Sequence, residues 1–93
     1  MHFVYMIKNS GNKLYIGITE NPEHRVYYHN HRRGASFTKY IPDFKIVFLE
    51  QYENITLARQ REIQLKKWSR VKKEFLINRY YQDLDTKNGG WPH

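Results

Sequence analysis

Met1-His2-Phe3-Val4-Tyr5-Met6-Ile7-Lys8, then Asn9-Ser10-Gly11, then Asn12-Lys13-Leu14-Tyr15-Ile16-Gly17-Ile18-Thr19: this opening decides the fold. The outer runs are rich in β-branched, aromatic and aliphatic residues and read as two strands of a hairpin. A three-residue loop commonly ends on a residue in the left-handed region, where glycine is cheapest, and this predicts the loop Asn9-Ser10-Gly11. Lys8 then pairs with Asn12, and Tyr5 faces Tyr15 directly. One face carries Phe3, Tyr5, Ile7, Tyr15 and Gly17, and the other carries Val4, Met6, Leu14, Ile16 and Ile18. The second set is purely apolar and reads as the core side. A four-residue loop would put the two tyrosines on opposite faces.

Working outward, Asn21 is an N-cap, and Pro22 falls at the first helical position, where its missing N–H costs nothing. Glu23 suits the positive end of the helix dipole, and the helix is expected to stop at Gly34. Arg25 and His29 are four apart, hence neighbours on one helix face. Residues 34–43 read as a loop, and Phe44 to Tyr52 as a third strand apolar on both faces, which calls for helices packed on the sheet. Asn54 or Thr56 caps a second helix running to about Trp68, with an apolar stripe of Leu57, Ala58, Leu65 and Trp68. Glu62 lies at the margin of that stripe. Arg61 lies nearer its centre and is the expected partner for Glu62 if that carboxylate is merely structural. Ser69 caps a third helix through Val71, Phe75, Leu76 and Tyr80. Residues 1–84 read as a single domain and 85–93 as a flexible tail.

The chain of 93 residues has no cysteine, which excludes disulfides, thiolate zinc sites and a cysteine nucleophile. No apolar run approaches the roughly 20 residues that span a bilayer. Strand-like sequence begins at Met1 with no signal peptide in view, and a cytoplasmic, membrane-free protein is expected. The net charge is +7, and between Arg59 and Arg79 eight Lys or Arg stand against two acids, Glu62 and Glu74. A basic face of this kind most often meets a polyanion. Lys66, Lys67, Arg70, Lys72 and Lys73 are the nucleic-acid-binding candidates.

The ordered set of residues resembles the GIY-YIG nuclease family. Val4-Tyr5-Met6 stands in the place of the first tripeptide and keeps its tyrosine, and Tyr15-Ile16-Gly17 matches the second in full. Arg25 follows at the family's spacing, His29 comes one turn later as in some members, and Glu62 within Ala58-Arg59-Gln60-Arg61-Glu62 matches the metal-binding glutamate. With Leu65-Lys66-Lys67-Trp68 and Lys73 to Ile77, the chain is similar to the small stand-alone bacterial members and to the N-terminal domain of the excision-repair endonuclease. The first motif lacks its Gly and Ile, and Arg79 and Tyr81 replace the Pro and Trp of the stand-alone members' ending.

The resemblance implies an α+β fold, a small three-stranded antiparallel sheet flanked by about three helices in the order β-β-α-β-α-α. It also implies hydrolysis of a nucleic-acid phosphodiester, DNA before RNA, with DNA repair as the setting; the sequence does not identify any recruiting protein. Glu62 would hold one Mg2+ or Mn2+, since Mg2+ commonly takes one or two protein carboxylates and keeps several waters. Arg25 would grip the phosphate through its planar fork. Tyr15 is the candidate general base; a phenol ordinarily titrates at about pH 10, so it needs a cation beside it. Tyr5 would position water or phosphate, His29 would relay a proton, and Asn78 matches a late asparagine of larger members. Two other readings use the same residues: a nucleic-acid-binding module without turnover, and an interaction domain whose basic helices dock an acidic protein.

Overall fold

The computed structural model describes residues 1–31 and 41–87. Their elements run β1 (His2–Lys8), β2 (Leu14–Thr19), α1 (Pro22–His31), β3 (Lys45–Tyr52), α2 (Ile55–Lys66) and α3 (Arg70–Tyr81), the expected β-β-α-β-α-α order. The strands form one open sheet in the order β2-β1-β3, with both pairings antiparallel. The expected end of α1 at Gly34 and most of the loop after it lie outside the described residues.

The hairpin has the expected kind of turn in a different frame. Asn9 N–H donates to the Lys13 carbonyl (3.1 Å) and Asn12 N–H to the Asn9 carbonyl (3.0 Å), so the loop is Ser10-Gly11-Asn12. The left-handed residue is Asn12 (φ 65°), not Gly11. Asparagine tolerates that region, and the Asn9 Oδ1 braces the turn by accepting from Lys13 N–H at 2.9 Å. Lys8 therefore pairs with Leu14, and Tyr5 lies opposite Gly17 rather than Tyr15. The slip is two residues, one full period of the strand, so Tyr5 and Tyr15 still share a face.

The sheet separates two cores. On one face Val4, Met6 and Phe48 pack with Ala58, Leu65, Leu76 and Ile77 of α2 and α3, and Leu14, Ile16 and Ile18 join them as expected. On the other, Tyr5, Ile7 and Phe44 form a smaller core with Tyr15, Val26, Ile46 and Leu49 beneath α1. A β-bulge shifts the β1–β3 register between Met6 and Ile7, so Phe48 pairs with Met6 and Ile46 with Ile7. The extra residue, Val47, packs with Phe48 into the larger core.

Asn21, Asn54 and Ser69 cap their helices through side-chain oxygens, accepting from His24, Thr56 and Lys72 N–H. The helix stripes depart from expectation. Leu57 is 53% exposed and Val71 79%, and Phe75 is also exposed, while Ile77 is buried. Arg61 occupies the centre of the α2 stripe, but its partner is Glu50 of β3, through Nε–Oε1 at 2.9 Å and Nη2–Oε2 at 3.1 Å. Tyr52 Oη also donates to Glu50, at 2.8 Å. Glu50 is a buried carboxylate on an otherwise apolar sheet face, so it claims the nearest guanidinium. The tail expected from residue 85 is held at its start: Arg61 Nη2 donates to the Thr86 carbonyl at 2.8 Å, and Arg79 Nε to that of Asp85 at 2.9 Å. Residues 88–93 lie outside the described part.

Candidate active site

β1, β2 and α1 assemble an aromatic cluster on the smaller-core face. The Tyr15 ring stacks on His29 (centroids 5.3 Å, 25° between planes), and Phe44 closes the cluster at 5.4 Å from Tyr15 and 5.9 Å from His29. Tyr5 Oη lies 3.4 Å from His29 Nε2, within hydrogen-bond reach, with the donor set by the imidazole tautomer. Phe44 is held by an amide clamp: Asn30 Oδ1 accepts from its N–H (2.7 Å) and Asn30 Nδ2 donates to its carbonyl (3.1 Å). The side chain thus pairs with the backbone as a neighbouring strand would, fixing α1 against the start of β3.

Gly17 gives the Tyr5 ring its place. A Cβ at position 17 would stand 2.6 Å from Tyr5 Oη, 2.8 Å from Cζ and 2.9 Å from Cε2, so the phenol lies directly against the glycine backbone. The last residue of Tyr15-Ile16-Gly17 is needed for close approach, with no demand on its φ.

Arg25 lies on α1, which covers the face of Tyr5 and Tyr15, whereas Glu62 lies on α2, whose Ala58 and Leu65 pack on the opposite face of the sheet. Burial raises the Tyr5 phenol above its ordinary value; the Arg25 charge pulls it down and the Glu62 charge pushes it further up. The phenol therefore stays protonated at neutral pH. Arg25 is exposed, with its guanidinium 6.0 Å from the Tyr28 ring centre. Glu62 is half-buried, its side chain 20% exposed, and its cation is Lys66 at 3.3 Å.

The carboxylates differ in what they can hold. Glu50 is saturated by Arg61 and Tyr52 and sealed in the larger core. Glu62 faces partly to solvent, and among the described residues its ion pair is with Lys66, a side chain that is 55% exposed. Among the described residues no three His, Cys, Asp or Glu group as a metal cage. A single carboxylate with water completing the shell is compatible with Mg2+ or Mn2+ chemistry, and Glu62, partly open to solvent, has the right donor chemistry for it.

The remaining expected residues are dispersed. Asn78 is exposed on α3, whose buried Leu76 and Ile77 pack on the face opposite Tyr5 and Tyr15. Arg70 clasps the hairpin tip to α3, donating to Glu74 (2.8 Å) and to the Asn12 carbonyl and Oδ1 (3.0 and 2.8 Å). Lys72 lies 5.7 Å from the Trp68 ring centre. Lys67 is the C-cap of α2 and exposed, and Lys73 is half-buried. Sequence reasoning missed Asn30, Phe44 and Lys66 as parts of the site's frame. The first two have no sequence signature, because their pairing depends on where β3 starts relative to α1. Lys66 had one, a lysine four residues after Glu62.

A model of the GIY-YIG catalytic domain matches residues 1–75. A UPF0213 protein of Staphylococcus aureus strain Mu3 is 40% identical over 76 residues, covering 82% of this chain and 93% of its own length, and one of strain MW2 matches equally. The solution NMR structure of a UPF0213 protein from Bacillus halodurans superposes with a TM-score of 0.54 at 28% identity, covering 83% of this chain and 82% of that one. The family model spans most of the chain, and the chain belongs to the GIY-YIG family, whose nuclease-type domains act on nucleic acids.

Proposed function

We propose that this chain is a metal-dependent endonuclease that hydrolyses phosphodiester bonds in DNA. The observation that carries the reading is geometric: the Tyr5 hydroxyl lies 3.4 Å from His29 Nε2, beside a Tyr15–His29 stack, under the helix that also carries Arg25. Phosphodiester hydrolysis needs an activated water, charge compensation on phosphorus-bound oxygens and a stabilised leaving oxygen. Acting as the phenolate, its own proton first lost to solvent, Tyr15 takes the proton of the attacking water as the new P–O bond forms and the ester P–O bond breaks, and the departing oxygen takes a proton from water. Arg25 binds the non-bridging oxygens through its fork. Tyr5, protonated, donates to the phosphate or the water and orients it. His29 passes the proton on. Glu62 would hold one Mg2+ or Mn2+ ion, which would supply Lewis-acid polarisation of the phosphate and stabilisation of the leaving oxygen. Lys67 and Lys73 contribute contacts along the backbone of the nucleic acid. The setting we infer is cytoplasmic DNA repair. Among the described residues no helix is long and apolar enough to cross a membrane.

Nicking of branched, flapped and duplex DNA in Mg2+ or Mn2+ tests this. Glu62→Gln is expected to abolish turnover, and Tyr15→Phe to slow it by about 100-fold or more. Activity that survives both substitutions sinks the reading.

One observation favours a second reading: Lys66 already neutralises Glu62. A domain that keeps that pair closed binds nucleic acid without cleaving it, with affinity that falls as salt rises and ignores chelator.

A further inference from the structure

Lys66 Nζ stands 3.3 Å from Glu62 Oε2, one helical turn along α2. The order is the favourable one on a helix, glutamate before lysine at i,i+4. Lys66 is also in the last turn of α2, where the helix dipole favours a positive charge. The two side chains are unequally placed, at 20% exposed for Glu62 and 55% for Lys66. The carboxylate is fixed in the half-buried margin, while the ammonium sits on a flexible stem mostly in water. Among the described residues, Arg61 is committed to Glu50, and Arg70 to Glu74 and Asn12.

We propose that Lys66 is a resident counter-ion of Glu62, a positioning residue that competes with the divalent metal and must swing out before the metal can bind. The inference rests on the proposed metal role of Glu62. Its consequence is a metal affinity set below what the carboxylate alone would give. An ion pair this exposed is weak, so the competition is modest and is screened by salt. Lys66 accordingly acts on the site before it acts on any substrate, unlike the solvent-facing Lys67.

The test is Mn2+ binding to the full chain without nucleic acid, read by electron paramagnetic resonance of free Mn2+. Wild type is compared with Lys66→Met, Lys66→Arg and Glu62→Gln. Lys66→Met is expected to bind Mn2+ about two- to fivefold more tightly at low salt, the change that loss of a weak surface ion pair produces. The gain should shrink at high ionic strength. Lys66→Arg keeps the charge and should stay near wild type. Unchanged or weaker binding in Lys66→Met, or equal tightening in the methionine and arginine variants, overturns the counter-ion while leaving Glu62 as the ligand. Mn2+ binding that persists undiminished in Glu62→Gln, or no binding in wild type, overturns the metal role of Glu62 and the counter-ion with it.

Discussion

Gly11 and Gly17 both sit where a side chain would collide, yet the collisions differ in kind. A Cβ at position 11 would stand 2.7 Å from Ile41 Cδ1, the free end of a side chain that is 42% exposed and can turn away. A Cβ at position 17 meets the Tyr5 ring, which is 5% exposed and packed among Ile7 and Phe44. Gly17→Ala should therefore cost about 1–3 kcal/mol, as overpacking of a filled core does. Gly11→Ala should stay within about 0.5 kcal/mol. Urea denaturation of the two variants decides it, and equal losses would mean the Tyr5 ring moves as freely as Ile41. The sequence carried the pairing of Tyr5 with Tyr15 on one face, because that depends only on the two-residue period and survives a two-residue slip. It did not carry the contact of the ring with the glycine, which appears only once Gly17 lies opposite Tyr5 in the ladder.

Along α2, consecutive residues divide structure from chemistry. Arg61 belongs to the larger core, with its side chain 10% exposed against a Glu50 that is 1% exposed. Removing it strands a carboxylate in a dry interior with only the Tyr52 hydroxyl for company. Arg61→Met should cost about 3–5 kcal/mol, the usual penalty for breaking one side of a buried pair. Glu62→Gln loses only the half-exposed contact with Lys66, and stability should change by less than about 1 kcal/mol while metal binding is lost. Paired unfolding curves check both, and similar losses would show that Glu62 is structural. The capping residues of α1, α2 and α3 were legible because a cap acts within three residues. The partner of Arg61 was not. Glu50 lies 11 residues upstream on a strand whose facing depends on the β1–β3 register. The α3 stripe failed for a related reason: Val71 and Phe75 have the right spacing, but the face that meets β3 is the one carrying Leu76 and Ile77.

For the molecule as a whole, titration and charge are set by what packing has already claimed. Burial raises the phenols of both Tyr5 and Tyr52, and the carboxylate of Glu50 adds to the rise at Tyr52. A folded value above the unfolded one means full stability below about pH 10, where the unfolded phenol stays protonated, and a decline as pH rises from there toward the folded values. The denaturation midpoint should hold from about pH 8 to about 9.5 and fall beyond, less steeply in Tyr52→Phe; an unchanged fall in that variant would acquit Tyr52. The net charge of +7 was legible as a total but not in its disposition. Lys8 and Arg70 both bind Glu74 at 2.8 Å, Arg61 is half-buried and paired with Glu50, and Lys66 is paired with Glu62. Fewer cations remain for phosphate than the sequence count offers. If Lys67 and Lys73 each meet one phosphate, Lys67→Ala and Lys73→Ala should each flatten the slope of log K against log salt for DNA by about 1. Arg70→Ala should leave the slope nearly alone and instead loosen the hairpin tip, seen as faster amide exchange at Asn12 and Lys13. A slope change at Arg70 as large as at the lysines would mean that its clasp opens to receive the nucleic acid.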